Sequence, residues 1–220
     1  MTAPAAIAEP DVALYGRLTA AERYIHHTRD QAMLALLRRH DRGRLSGLRI
    51  LELGCGLGSL LRSLLHYGAG ATSLHGIDAD MGGLAQARGS LPDGPLAVAD
   101  VGALPYRDHS FDLAFAFTVF SSVRDERTRA HGATEAMRVL RPGGLLVVYD
   151  FVLNPTNPRV RAIGPGELRR LFDPLPVAIE RLTLAPPIVR MLGGRRALCA
   201  PLERLPFLRT HMLAAVVKSA

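Results

Sequence analysis

The 220-residue chain has no tryptophan, two cysteines (Cys55 and Cys199) and one lysine, Lys218. Two cysteines exclude a disulfide framework and a four-cysteine zinc site. No apolar run approaches the roughly 20 residues that a membrane-spanning helix needs. The opening stretch, MTAPAAIAEPDVALYG, lacks a basic segment leading into a hydrophobic one, which is not the pattern of a signal peptide. A reducing cytoplasmic location is the expectation that follows. Five Tyr and seven Phe are few for an RNA-stacking surface. What is present is 48% hydrophobic and 21% charged, which excludes wholesale disorder and supplies one sizeable core.

The net charge is +7, and its placement matters more than its sum. Residues 1–47 carry 7 Arg against 5 acids, residues 48–150 carry 9 Arg against 11 acids, and residues 151–220 carry 10 Arg and Lys218 against 4 acids. The basic excess therefore sits in the last third. Arginine almost wholly replaces lysine, a compositional habit that by itself says little about binding.

Hydrophobic periodicity predicts a helix over residues 19–40, with Thr19 and Glu22 as a capping box. An apolar strand ending in glycines follows (LRILELGCG), then leucines at helical spacing over 57–67. The alternation repeats: strand 72–78, helix 80–88, strand 96–99, strand 111–120, helix 126–140, strand 145–152. Pro142-Gly143-Gly144 is expected to break the last of these helices. Strands separated by helices imply a doubly wound, mostly parallel α/β sheet, which binds ligands at its strand carboxyl ends. Beyond residue 154 the pattern weakens to a short helix (166–172), a strand (177–184), a Pro/Arg/Leu-rich stretch (186–209) and a final strand (211–218).

The sharpest signal is Glu52-Leu53-Gly54-Cys55-Gly56-Leu57-Gly58, between a strand and a helix. Glycines there let the backbone turn tightly and approach a ligand without a Cβ in the way. A dinucleotide fingerprint needs a glycine three positions after Gly56, where Ser59 stands, so a dehydrogenase is disfavoured.

LELGCGLG resembles the first motif of the class I S-adenosylmethionine-dependent methyltransferases. The resemblance continues in order through HGID (Asp78), AVADVGALPY (Asp100), FDLAFA and LRPGGLLVVYDF. It covers residues 48–153, and its flavour is that of ubiquinone and menaquinone biosynthesis methyltransferases. It implies a Rossmann-like sheet with an antiparallel final strand. Residues 1–47 would be a tail and lid helix, and residues 48–220 one methyltransferase domain. That domain divides into a cofactor half (48–153) and an acceptor half (154–220). S-adenosylmethionine would be the cofactor, S-adenosylhomocysteine its product, and no metal is expected.

By the same resemblance Gly54, Cys55, Gly56 and Gly58 approach the methionine portion, and Glu52 acts through the loop amides. Asp78 and Ala79 meet the ribose, Asp100 and Val101 the adenine, and Phe117 and Thr118 line the pocket. Read without the family, the glycines form a tight turn, Asp78 caps a helix, Asp100 orders a turn, and Cys55 and Cys199 fill space.

The acceptor side is less defined. Many such enzymes have His-His after the fourth strand, where this chain has Ser121-Ser122. Asp150 is the remaining carboxylate candidate for a catalytic base, its alternative role being a loop-ordering acceptor. His26 and His27 are expected to be packing or surface residues; His211, opening the last strand, is expected to be structural, its alternative being to face the acceptor. Arg159 and Arg161 are candidates for gripping an anionic acceptor. Residues 186–209 fit an acceptor lid or a peripheral membrane contact. The expected function is methyl transfer to a small-molecule or glycan acceptor. Two alternatives stay open: an RNA methyltransferase and a non-catalytic partner subunit. Nucleic acid is the less favoured partner, since no separate RNA-binding module is recognisable.

Overall fold

The computed structural model describes residues 19–154 and 160–219, apart from the side chain of Ser90. Among these residues seven strands form one sheet: β1 (Ile50–Leu53), β2 (Leu74–Asp78), β3 (Leu96–Val98), β4 (Phe111–Phe117), β5 (Leu140–Phe151), β6 (Val177–Leu184) and β7 (Arg209–Val217). Their spatial order is β3-β2-β1-β4-β5-β7-β6. The first five pair in parallel, and β7 runs antiparallel to both β5 and β6. The doubly wound sheet expected from the alternation is the one observed.

Alternation along the strands builds two cores. Ile50, Leu113, Phe115, Leu145 and Val147 pack beneath α1 (Ala20–Arg39), α2 (Ser59–His66) and α3 (Met81–Ser90). Leu51, Leu53, Ala114, Leu146 and Val148 pack against α4 (Glu126–Val139) and α5 (Pro165–Leu171). A third cluster joins the start of α1 (Ala21, Tyr24) to α6 (Pro186–Met191) and α7 (Arg196–Glu203) through Val189 and Cys199. No described helix is long and apolar enough to cross a membrane.

Thr19 and Glu22 form the expected capping box at the head of α1. Strand ends shift by one or two residues from expectation at β2 and β7, and two larger differences have a visible cause. β4 stops at Phe117 because Thr118 adopts φ 56°, a left-handed conformation that ends the extended run. Pro142-Gly143-Gly144 does not lie just after a helix that runs to Leu140. Helix α4 ends at Val139, and the three residues form an irregularity inside β5. The pairing steps there from Phe111↔Leu140 to Leu113↔Leu145. The bulge is held from afar: Gly143 N–H donates to Lys218 O at 2.9 Å, and Lys218 Nζ donates to Leu140 O at 2.8 Å.

The largest fully buried side chain is charged. Arg129 of α4 is 1% exposed and donates to Phe120 O (2.8 Å), Val123 O and Glu167 Oε1 (2.7 Å). It ties the segment after β4 to α5. Replacing it by methionine leaves two carbonyls without their donor and Glu167 with one partner fewer. Arg129→Met is therefore expected to cost about 3 kcal/mol of stability. In urea the midpoint should fall with an unchanged m-value, and a midpoint equal to wild type would show that the carbonyls are satisfied otherwise.

Candidate active site

The loop from β1 into α2 turns three times through left-handed backbone, at Gly54 (φ 65°), Gly56 (φ 49°) and Gly58 (φ 73°). A Cβ placed on Gly54 would stand 2.8 Å from Val119 Cγ2, whereas one on Gly56 would meet nothing within 4 Å. The loop is thus closely packed at its first glycine and open at its second. Cys55 is buried; its N–H donates to Ile77 O at 2.9 Å, and burial pushes its thiol up to about 12. That is a packing cysteine and not a nucleophile.

Two carboxylates at the end of β2 divide the work. Asp78 Oδ2 accepts from Gly56 N–H at 2.7 Å and Oδ1 from Asp80 N–H at 2.8 Å. Asp80 caps α3, accepting from Gly82 and Gly83 N–H, each at 3.0 Å. The helix-cap role considered for Asp78 thus belongs to Asp80. Asp78 braces the loop and keeps spare acceptor capacity on both oxygens. Ala79 is exposed between them. Asp100 is also exposed, and its Oδ1 accepts from Gly102 N–H at 2.6 Å in a turn. Val101 beside it lies against Gly132 of α4.

Glu52 is 3% exposed, and its Oε2 has no hydrogen-bond partner. Burial holds its carboxyl well above the usual range, with Arg29 opposing that shift. Arg29 was not among the expected residues. It lies in α1, ion-paired with Asp30 at 2.7 Å, its guanidinium 5.4 Å from the Phe117 ring and 6.0 Å from the Tyr149 ring. The signal for it is spacing: Arg29 precedes Met33 and Leu37 by one and two helical turns, so it shares their inward stripe.

Phe117 packs on Tyr149 (ring centroids 5.3 Å apart), and His211 stacks on Tyr149 at 4.8 Å. Tyr149 shares a hydrogen bond with Thr183 at 2.9 Å. Thr118, in its left-handed conformation, donates its N–H to Tyr149 O at 2.7 Å. Glu52, Asp78, Phe117, Thr118 and His211 are therefore gathered at one end of the sheet. His211, for which packing was the first expectation and facing an acceptor the alternative, is buried and forms part of this aromatic wall.

Two candidates are engaged by groups of the chain itself. Asp150 is 0% exposed and shares its face of β5 with Leu146 and Val148 of the α4–α5 core. Its Oδ2 accepts from Ser121 N–H at 3.1 Å and its Oδ1 from Phe151 N–H at 2.8 Å. It orders the chain after β4, the alternative role weighed for it. Arg161 pairs with Glu167 at 2.8 Å and Glu126 at 3.4 Å, so its charge is already matched by carboxylates. Arg159 lies outside the described residues. Among the described residues no group of three His, Cys, Asp or Glu side chains could hold a metal ion.

A family profile described as "Methyltransferase domain" matches residues 51–148, from β1 into β5. A demethylmenaquinone methyltransferase of Beutenbergia cavernae is 32% identical over 63% of this chain and 55% of its own. A ubiquinone/menaquinone biosynthesis C-methyltransferase of Geobacter sulfurreducens is 28% identical over 52% of this chain and 44% of its own. The fold is shared with a solved S-adenosylmethionine-dependent methyltransferase from Mesorhizobium loti: TM-score 0.60, 21% identity, 80% of this chain and 93% of that one. Residues 51–148 thus resemble a methyltransferase domain, and the sheet has the fold of S-adenosylmethionine-dependent methyltransferases. The chain spans about half the length of the curated relatives it matches.

In this protein the buried ionisable groups set opposing pH trends. Burial, with Arg29 adding to it, pushes His26 and His211 down to about 4 from 6.5. Both are neutral in the folded protein at neutral pH. The stability they contribute is full above about pH 6.5 and is lost as pH falls towards about 4. Burial pushes Asp150 up to about 6, so its contribution is full below its ordinary value and is lost as pH rises through about 6. Urea denaturation between pH 4 and 7 should show His211→Gln flattening the acid loss of stability. Asp150→Asn should steepen it, because the opposing titration is gone. Identical pH slopes in wild type and both variants would contradict these assignments.

Proposed function

We propose that the protein binds S-adenosylmethionine in the open loop after β1 and transfers its methyl group to a small-molecule acceptor in the cytoplasm. The single observation that carries this reading is the Gly54–Gly58 loop, left-handed at three glycines, open at Gly56 and braced by Asp78. The residues present fit the cofactor. Gly56 leaves room for it, Asp78 has lone pairs to spare for ribose hydroxyls, and the unpartnered Glu52 Oε2 is a buried acceptor beside the loop. When bound, S-adenosylmethionine supplies an electrophilic methyl group on a sulfonium.

The chain's own contribution is placement. Gly54, Cys55, Gly56 and Gly58 would pass backbone along the methionine portion, and Asp78 with Ala79 would hold the ribose. Asp100 and Val101 would flank the adenine, with Phe117 and Thr118 closing the pocket. An in-line displacement asks the protein to align donor and acceptor and to exclude water. α1, with Arg29 over Phe117 and Tyr149, is positioned to do the excluding. The quinone precursors in the relatives' names favour an apolar, ring-containing acceptor, which the Phe117–Tyr149–His211 wall suits. With Asp150 buried on the other face, the neutral His211 imidazole is the better-placed base should the acceptor have to lose a proton.

Calorimetric titration with S-adenosylhomocysteine tests the reading. Wild type should bind, and Asp78→Ala should weaken binding thirty- to hundredfold, about 2–3 kcal/mol. Unchanged affinity in a folded variant removes Asp78 from the site. Gly56→Val should abolish binding while circular dichroism stays native, since valine both resists φ 49° and fills the open space. No binding by wild type would overturn the proposal.

A further inference from the structure

Residues 186–209 form a layer over the start of α1. Val189 and Cys199 point inward against Ala21 and Tyr24. The outer side does not look like an ordinary solvated surface. Met191 and Phe207 are 77% and 71% exposed, and Leu198 and Leu205 are exposed as well. Leu198 and Pro201, three residues apart, fall on the outward side of α7, away from Cys199, and the exposed Leu205 follows just beyond the helix. Arg190, Arg195, Arg196 and Arg204 are exposed in the same layer, and none of them is in an ion pair among the described residues. The one acid of this stretch, Glu203, is half-buried.

We propose that this layer docks on an anionic phospholipid bilayer. Phe207, Met191, Leu198 and Leu205 enter the interface while the four arginines meet lipid phosphates. The chemistry requires both halves. A cluster of exposed large apolar side chains is unusual for a monomer surface and marks an interaction site. Unpaired arginines select a partner dense in phosphate, which their planar forks bind bidentately. Neither half suffices alone: α6 and α7 are too short for stable insertion, and charge without insertion is screened by salt. The docked layer also covers the first turns of α1, the helix over the gathered strand ends, so an acceptor dissolved in lipid would reach them without crossing water. The proposal stands on the surface alone and does not depend on which reaction the loop serves.

Co-sedimentation of the full chain with vesicles tests it. Binding to phosphatidylcholine vesicles containing phosphatidylglycerol, weakening as salt rises, is the expected result, with little binding to phosphatidylcholine alone. Arg195→Ala, Arg196→Ala and Arg204→Ala should each weaken partitioning about fivefold. Phe207→Ser should weaken it with an unchanged salt slope. All four positions are exposed, so the variants should keep the wild-type melting temperature and S-adenosylhomocysteine affinity. That titration reads the loop separately, so failure of one idea is distinguishable from failure of the other. Absence of vesicle binding, equal binding to neutral vesicles, or variants that sediment like wild type overturn the proposal. So does self-association seen by light scattering that Phe207→Ser removes in a protein that ignores vesicles.

Discussion

One hydrogen bond organises the glycine-loop end of this sheet: Gly56 N–H to Asp78 Oδ2, 2.7 Å. It is charge-assisted, and it joins the end of one strand to the middle of the loop that leaves its neighbour. Three left-handed glycines within five residues give that loop many conformations in the unfolded chain, and ordering them is costly. The Asp78 carboxylate and the Cys55 N–H bond to Ile77 O select one of them. Asp78 is available for this because Asp80, two residues on, satisfies the amides at the head of α3. The pair of aspartates separates loop bracing from helix capping.

The segment after β4 is held by polar groups from the opposite face. Arg129 binds its carbonyls at Phe120 and Val123, Asp150 accepts from Ser121 N–H, and Arg161 N–H donates to Ser121 O at 3.0 Å. Asp150 and Arg161 therefore both help to hold this segment. The gathered ring wall lies on the other side of the sheet, beneath α1. The ionisable groups there (Arg29, Asp30, Glu52) sit close enough for Arg29 to oppose the rise in the Glu52 carboxyl and to reinforce neutrality at His26 and His211.

The first five strands and their helices were legible because apolar runs bounded by glycine and leucines at helical spacing are local signals. The glycine loop and the order of Asp78 and Asp100 behind it were legible for the same reason. What escaped depends on residues distant in sequence. The end of β4 is set by the backbone of Thr118, which hydropathy does not encode. The Pro142-Gly143-Gly144 bulge is fixed by Lys218. Asp150 sits at the right strand end, but β5 is buried on both faces, so its alternation does not say which face meets the ligand. The pairing of Arg161 comes from Glu126 and Glu167 on two other helices. Arg29 was concealed because a charge within an apolar helical stripe reads as an interruption until the opposing face is known to hold Glu52.

The anchoring of Lys218 has a practical corollary. The chain covers its surface with arginine and keeps a single side-chain amine, whose ammonium donates to Leu140 O and Arg138 O where α4 passes into β5. β7 delivers it to the start of β5, at the end of the sheet remote from the glycine loop. Amine-directed reagents thus find one side chain to modify. A fluorophore or crosslinker placed there would report on this molecule from the end of the sheet opposite the glycine loop.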